Sequence, residues 1–332
     1  MNEANPSAIP TCLLCGGTTV EPSAVIARDY VYDNPGTWSY AECRSCGSAF
    51  QNPPIPEDEI SRFYPDTYYT GMDFASRGMT RRLRIKQLIA RRYYGYTQIQ
   101  SMTAMEIVYW PAVWLLARAK GAARLIESRR EGRVLDVGCG NGQQLDLYRD
   151  LGWQTCGVDI SPRAVEVCRR HRHEAHEGTL FTVRLEPESF DAVVLWDALE
   201  HIACPRETMA ECRRVLRPGG RVYISVPNYN SWWARFFRDR WYMFTAPVHY
   251  VQYTERGLAA LLEGSGFRVC RFWHPLGDVG LAGTFAGIAK KSGRLGSVLW
   301  KAAAALTAKL DYVLPRGHIT MVAERSEKLP MR

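Results

Sequence analysis

A short apolar strand running straight into three alternate glycines constrains this chain more than any other feature: Val134-Leu135-Asp136-Val137-Gly138-Cys139-Gly140-Asn141-Gly142. Glycines at these positions permit a tight turn and let the backbone approach a ligand closely at the start of the next helix. Helical spacing follows, with Leu145, Tyr148 and Leu151 on one face and Gly152 as the stop. The strand Thr155–Ile160 comes next, then an N-cap and first-turn proline at Ser161-Pro162. Further on lie the strand Ala192–Trp196, a helix through Met209, Cys212 and Leu216, and the strand Val222–Val226 after a Pro218-Gly219-Gly220 turn. Phe267–Phe272 and His318–Ala323 read as two late strands of the same sheet. Strands and helices alternating at these lengths predict an open, mostly parallel α/β sheet.

A glycine turn does not identify its ligand, because dinucleotide and phosphate sites use one too. Asp136 discriminates. A carboxylate at the strand end repels a pyrophosphate but suits a ligand carrying an amino group and a sulfonium charge. Gly157-Val158-Asp159 puts a second carboxylate at the end of the following strand, where it can accept ribose hydroxyls. The two acids therefore point to an aminoacyl-nucleoside. With these residues in hand, the segment resembles motif I of class I S-adenosylmethionine-dependent methyltransferases. Gly178-Thr179-Leu180, Phe190-Asp191-Ala192-Val193-Val194-Leu195-Trp196-Asp197-Ala198-Leu199-Glu200-His201 and Arg214-Val215-Leu216-Arg217-Pro218-Gly219-Gly220 follow in the family's order. The resemblance implies a Rossmann-like, mostly parallel sheet of seven strands with the last one antiparallel. It implies that Asp136, Gly138, Cys139, Gly140 and Gly142 hold the methionine part, Asp159 (with Ile160 beside it) the ribose, and Leu180 the adenine. Trp196 and Asp197 would border the methyl group. His171, His173 and His176 read as surface residues.

Four cysteines form two knuckles, Cys12-x2-Cys15 and Cys43-x2-Cys46, each followed by glycine and separated by 27 residues. Paired knuckles suit tetrahedral zinc, and four thiolates leave no open position, so the metal is expected to be structural. Two disulfides are the alternative. The opening MNEANPSAIP has no basic-then-apolar leader, so a reduced, cytoplasmic setting is expected and zinc is preferred. The apolar runs Ile107–Ala119 and Gly296–Leu306 are interrupted by Pro111 and Arg118, or by Lys301, and are too short to span a bilayer. The expected organisation is a zinc-ribbon module at 1–60 and a helical, substrate-side connector at 61–130 that Pro111 breaks. A methyltransferase domain at 131–325 follows, with long inserts at 228–256 and 276–317. A ribbon, then the aromatic run Phe63-Tyr64-Pro65-Asp66-Thr67-Tyr68-Tyr69, then this core resembles a bacterial family that modifies sugars and cell-surface glycans.

Methyl transfer from a sulfonium is an in-line displacement, and a hydroxyl acceptor also needs a base. His249, in Ala246-Pro247-Val248-His249-Tyr250, is the first candidate, because the resembling family often has a histidine there. The alternative is a structural histidine packed among Trp241, Tyr242 and Tyr250. His201 is the second candidate. Trp232, Trp233, Phe236, Phe237, Trp241, Tyr242 and Phe244, interleaved with Arg235, Arg238 and Arg240, read either as a lid over a sugar phosphate or as a helix packed on the core. A net charge of +8 is compatible with an anionic partner: a phosphorylated or lipid-linked acceptor, nucleic acid, or a peripheral membrane contact. The expected activity is methylation of a hydroxyl, secondarily a carbon, of a saccharide or glycan precursor. The rivals are an RNA methyltransferase, a small-molecule quinone or phenol O-methyltransferase, and a non-catalytic binding module. Asp197-Ala198-Leu199-Glu200 lacks the Asn/Asp-Pro-Pro-aromatic motif of base amination chemistry, and the intact acids and glycines argue against a degenerate site.

Overall fold

The computed structural model describes residues 11–64, 79–100, 124–129, 131–275, 280–307 and 317–327, with a few positions between 103 and 111 and at 314. The N-terminal strands are β1 (Val20–Ala27), β2 (Trp38–Cys43) and β3 (Ala49–Gln51), followed by helix α1 (Met79–Tyr93). Strict alternation then begins with β4 (Arg133–Val137), α2 (Gln143–Asp150), β5 (Gln154–Asp159), α3 (Pro162–Arg170) and β6 (Glu174–Glu177). It continues with β7 (Phe190–Trp196), α4 (Pro205–Val215) and β8 (Leu216–Pro227). The rest is α5 (Trp232–Phe237), β9 (Val251–Gln252), α6 (Glu255–Gly264), β10 (Phe267–Trp273), α7 (Leu281–Lys290), α8 (Arg294–Thr307) and β11 (His318–Arg325).

Every side chain of β7 is buried, as a central parallel strand covered on both faces requires. The main sheet has seven strands in the order β10-β11-β8-β7-β4-β5-β6. The neighbours β4/β5, β4/β7, β5/β6 and β7/β8 run parallel, whereas β11 runs antiparallel to both β8 and β10. This is the sheet the resemblance implied. Its consequence for the site is topological. The parallel strands end together at Val137, Asp159, Trp196 and Pro227, and the reversed β11 begins there, with His318 opposite Pro227. Local signals hold the helices in place: the Ser161 hydroxyl accepts from the Ala164 amide at 3.3 Å, and Pro162 occupies the first turn.

Several sequence expectations shift. Pro218-Gly219-Gly220 lies inside β8 and is not a turn before it, because the ladder to β7 already starts at the Phe190–Leu216 pair. Strand β5 stops at Asp159, and Leu180 opens a short helix, Leu180–Val183, capped by Thr179. His173 is buried, not on the surface. Its Nδ1 lies 2.8 Å from the Thr155 hydroxyl and its Nε2 3.0 Å from Asp146, beneath the glycine turn. The aromatic run at 65–69 and the segment after Pro111 lie outside the described residues.

The N-terminal strands do not stand apart from the core. They form a second sheet, β1-β2-β3-β9, whose fourth strand comes from the 228–256 insert. Ser48 accepts from the Thr254 amide at 3.0 Å, and the Thr254 hydroxyl donates to the Cys46 carbonyl at 2.6 Å. Arg206 of α4 donates to the Leu13 and Leu14 carbonyls at 2.9 and 3.0 Å. Cys12, Leu14, Cys43 and Phe50 share one apolar cluster with Leu195, Ile224 and Leu258 of the main domain.

Candidate active site

At the end of β4 the chain turns through Gly138, Gly140 and Gly142 with φ of 75°, 53° and 76°, a region that side chains beyond glycine rarely adopt. A methyl group on Gly138 would stand 2.9 Å from Ala198 Cβ, and one on Gly142 would stand 2.9 Å from Cys168 Sγ. The turn is tied to the neighbouring strand: the Gly138 amide donates to the Val158 carbonyl, and the Gly140 amide donates to Asp159 Oδ2, both at 2.8 Å. Asp159 Oδ1 accepts from the Ser161 amide at 2.9 Å. Each oxygen keeps lone-pair capacity for a further donor, such as a ribose hydroxyl. Asp136 is buried at the base of the turn. Burial first, and then the nearby Asp159, push its carboxyl up to about 8, with Arg124 opposing. A carboxyl held in this state is poised for a ligand that brings its own positive charge.

Placement of the other expected cofactor residues varies. Ile160 is half-exposed beside Asp159, whereas Leu180 is packed in the sheet-wide core. Cys139 is buried against Cys168, with sulfurs 3.8 Å apart. Trp196 is buried, its indole donating to the Tyr148 hydroxyl at 2.8 Å. Asp197 follows with φ of 54°. It pairs with Arg124 and, at 3.1 Å, with His318 Nε2. Desolvation alone would raise its pKa, but Arg124 and His318 outweigh that and hold the carboxyl well below the usual range.

Beyond Asp197, the chain brings together Glu200, His201 and His249, whose ligand atoms all lie within 4.8 Å of one another. The two imidazoles meet edge to face with centroids 4.4 Å apart. His201 Nδ1 lies 3.1 Å from the Val248 carbonyl and 2.8 Å from the Tyr64 hydroxyl; His249 Nδ1 lies 3.0 Å from the Met243 carbonyl. A carbonyl only accepts, so in both rings we assign the proton to Nδ1 and a lone pair to Nε2. Burial pushes the His201 imidazole down to about 4, and pushes His249 well below its ordinary value. Both rings are therefore neutral at physiological pH. Glu200 is buried with Oε2 lacking a hydrogen-bond partner among the described residues, and burial, then Asp197, push its carboxyl up to about 8. Two imidazoles and a carboxylate could accept a proton or take a divalent cation. His249 is only 7% exposed, whereas His201 is more open.

The aromatic insert divides between its two readings. Trp241, Met243, Phe244 and Ala246 pack with Ala27, Tyr40 and Ala49 of the N-terminal sheet, and Tyr40 donates to the His249 carbonyl at 2.9 Å. Trp232 and Phe236 instead stack on each other in the open. The four N-terminal cysteines converge: Cys12 and Cys46 sulfurs are 3.7 Å apart, Cys15 and Cys43 sulfurs 3.6 Å, and all four lie within 4.8 Å. All are free thiols, and the Leu14 and Gly17 amides point at Cys12 and Cys15 sulfurs at 3.4 Å.

Sequence reasoning missed Arg124, Tyr148 and His318 as site residues, and it saw Glu200 only in the family's Glu200-His201 pair and Tyr64 only as part of an aromatic run. For His318 the signal was present: an antiparallel last strand must begin where its parallel neighbours end.

Residues 115–271, just under half of the chain, match a family described as a methyltransferase domain. A ubiquinone biosynthesis O-methyltransferase of Thiobacillus denitrificans is 33% identical over 106 residues, 30% of this chain and 46% of that protein. One from Xanthomonas campestris is 36% identical over 103 residues, 29% of this chain and 43% of its own. The chain thus spans less than half the length of these curated relatives. A crystal structure of an S-adenosylmethionine-dependent methyltransferase from Methanosarcina mazei superposes with a TM-score of 0.44 at 18% identity, covering 60% of this chain and 95% of that one. Residues 115–271 are thus similar in sequence to a methyltransferase domain.

Proposed function

We propose that the protein transfers a methyl group from S-adenosylmethionine to a hydroxyl of a small phenol- or quinol-type acceptor, with His201 taking the hydroxyl proton. The observation that carries the reading is the neutral His201 imidazole, on the loop after β7 at the end of the sheet where Asp136 and Asp159 lie. The names of the relatives support this acceptor class over the saccharide expected from the ribbon and core.

S-adenosylmethionine supplies, when bound, an electrophilic methyl group on a sulfonium. The residues present fit it. Asp136 meets the positive end, the Gly138–Gly142 backbone admits the methionine chain closely, and Asp159 receives the ribose hydroxyls. Asp197, steadied by Arg124 and His318, lines the acceptor side. His201 accepts the proton at Nε2 while Nδ1–H stays on the Val248 carbonyl. His249, edge-on behind it, acts as a positioning residue, and the charge on Asp197 favours the imidazolium that forms.

The test is a screen with labelled S-adenosylmethionine against catechols and demethylated quinols, nucleotide sugars, and structured RNA. Methylation of a phenolic oxygen is expected. Label appearing only in saccharide or only in RNA overturns the acceptor class.

The N-terminal thiols are proposed to hold one structural zinc. Zinc–sulfur bonds of about 2.3 Å in a tetrahedron put sulfurs about 3.8 Å apart, close to the spacing of both pairs. Elemental analysis of protein purified without added metal is expected to find about one equivalent, and Cys43→Ser to lose it. Because β3 pairs with β9 two residues beyond His249, that variant is also expected to unfold at lower temperature and turn over more slowly. Metal-free wild-type protein with an unchanged melting profile would overturn this.

A further inference from the structure

Helix α8 carries an apolar stripe that no described residue covers. Leu295, Val298, Leu299 and Leu306 are 77, 65, 63 and 77% exposed, and Ala302 and Ala305 are exposed on the same stripe. The spacing keeps these positions on one face over three turns. The helix is held from its other side: Trp300 stacks on Phe285 of α7 at 5.3 Å, and Phe285 meets Phe237 of α5 edge-on at 5.6 Å. Single exposed aliphatics are ordinary, but a continuous row of bulky ones marks an interaction surface. On α5, in the same helical layer, the exposed Trp232 and Phe236 add an aromatic pair.

Charge selects the occupant. Residues 280–307 contain Lys290, Lys291, Arg294 and Lys301 and no aspartate or glutamate. Lys290 and Lys291 tie the hairpin to the N-terminal module, through the Val31 carbonyl and Asp33. Lys301 is exposed beside the apolar stripe. A second copy of this chain would bring the same positive charge against itself. An anionic bilayer offers both apolar depth and opposite charge. None of the described helices is long and apolar enough to cross a membrane, so the geometry is that of a helix lying in the interface.

We propose that the α7–α8 hairpin docks the protein on an anionic phospholipid surface. Leu295, Val298, Leu299 and Leu306 enter the acyl boundary, and Lys301 meets the headgroups. This surface lies outside the catalytic residues, and the inference does not rest on the acceptor proposed above.

The experiment is co-sedimentation of the full chain with phosphatidylcholine vesicles, with and without phosphatidylglycerol. Wild-type protein is expected to bind the anionic vesicles far more tightly, with binding weakened by salt. Lys301→Glu lowers the affinity at least roughly fivefold, the effect of one interfacial charge. Leu299→Asp lowers it further, and both variants keep the wild-type melting temperature because the two positions are exposed. Equal or absent binding to both vesicle types overturns the proposal, as does wild-type binding by both variants. A wild-type dimer that Leu299→Asp converts to monomer, without vesicle binding, identifies the stripe as a self-interface and also overturns it.

Discussion

Asp159→Ala is expected to weaken S-adenosylmethionine binding by about five- to more than a hundredfold, the roughly 1–3 kcal/mol of a buried polar network broken on one side. The effect is large because the carboxylate serves two purposes. Its oxygens accept hydrogen bonds from the Gly140 and Ser161 amides, and so hold the glycine turn to the start of α3, and the same oxygens are the ones proposed to receive the ribose hydroxyls. The variant therefore loses a ligand contact and leaves two backbone amides unsatisfied. Calorimetric titration checks this, and an unchanged affinity would remove Asp159 from the cofactor site. A pH series gives a second readout, through Asp136. Burial raises its carboxyl to about 8, so the group is protonated at neutral pH until a positive charge arrives. Binding then releases a proton, so affinity climbs as pH rises and levels off above about 8. Asp136→Asn flattens that climb. In the ligand-free protein the same raised pKa contributes stability that is full below the unfolded value of about 4 and is lost as pH rises through about 8.

His201→Ala is expected to lower turnover by about 10²–10⁴-fold while leaving S-adenosylmethionine affinity close to wild type. The imidazole is neutral because burial depresses it to about 4, so its base form persists well below the ordinary histidine range. Any acid limb in turnover should accordingly lie below about 6.5. His249→Ala is expected to have the smaller effect, since that ring is more deeply buried and meets His201 edge-on, as a positioning residue would. Its signature is a fall in turnover with little change in the acceptor Michaelis constant. If His249→Ala is the more damaging of the two and His201→Ala is nearly silent, the base is His249, where the sequence position alone had put it.

What the sequence by itself determined is local. The strand–turn–helix at Asp136–Gly142, the acid at Asp159, the proline-capped start of α3 and the two cysteine knuckles each lie within a few residues, where backbone sterics, capping and ligand spacing act without knowledge of the rest of the chain. Strand and helix periodicity is of the same kind, and it was enough to predict an open, mostly parallel α/β sheet, whereas the seven strands and the antiparallel last one came from the family resemblance. Only the tertiary structure decided what meets what. Tyr64, Asp197, His201, His249 and His318 belong to one neighbourhood although they are spread over most of the chain. Insertion of β11 between β8 and β10 brings His318 to Asp197, and β9, joining the N-terminal sheet, anchors the segment that carries His249. Protonation states were equally out of reach, because desolvation depends on packing from every side: Asp136 and Glu200 rise and the two histidines fall only once the core closes around them. His173, polar and flanked by charged residues in the sequence, is buried for the same reason: Asp146 and Thr155 arrive from other elements and satisfy both ring nitrogens.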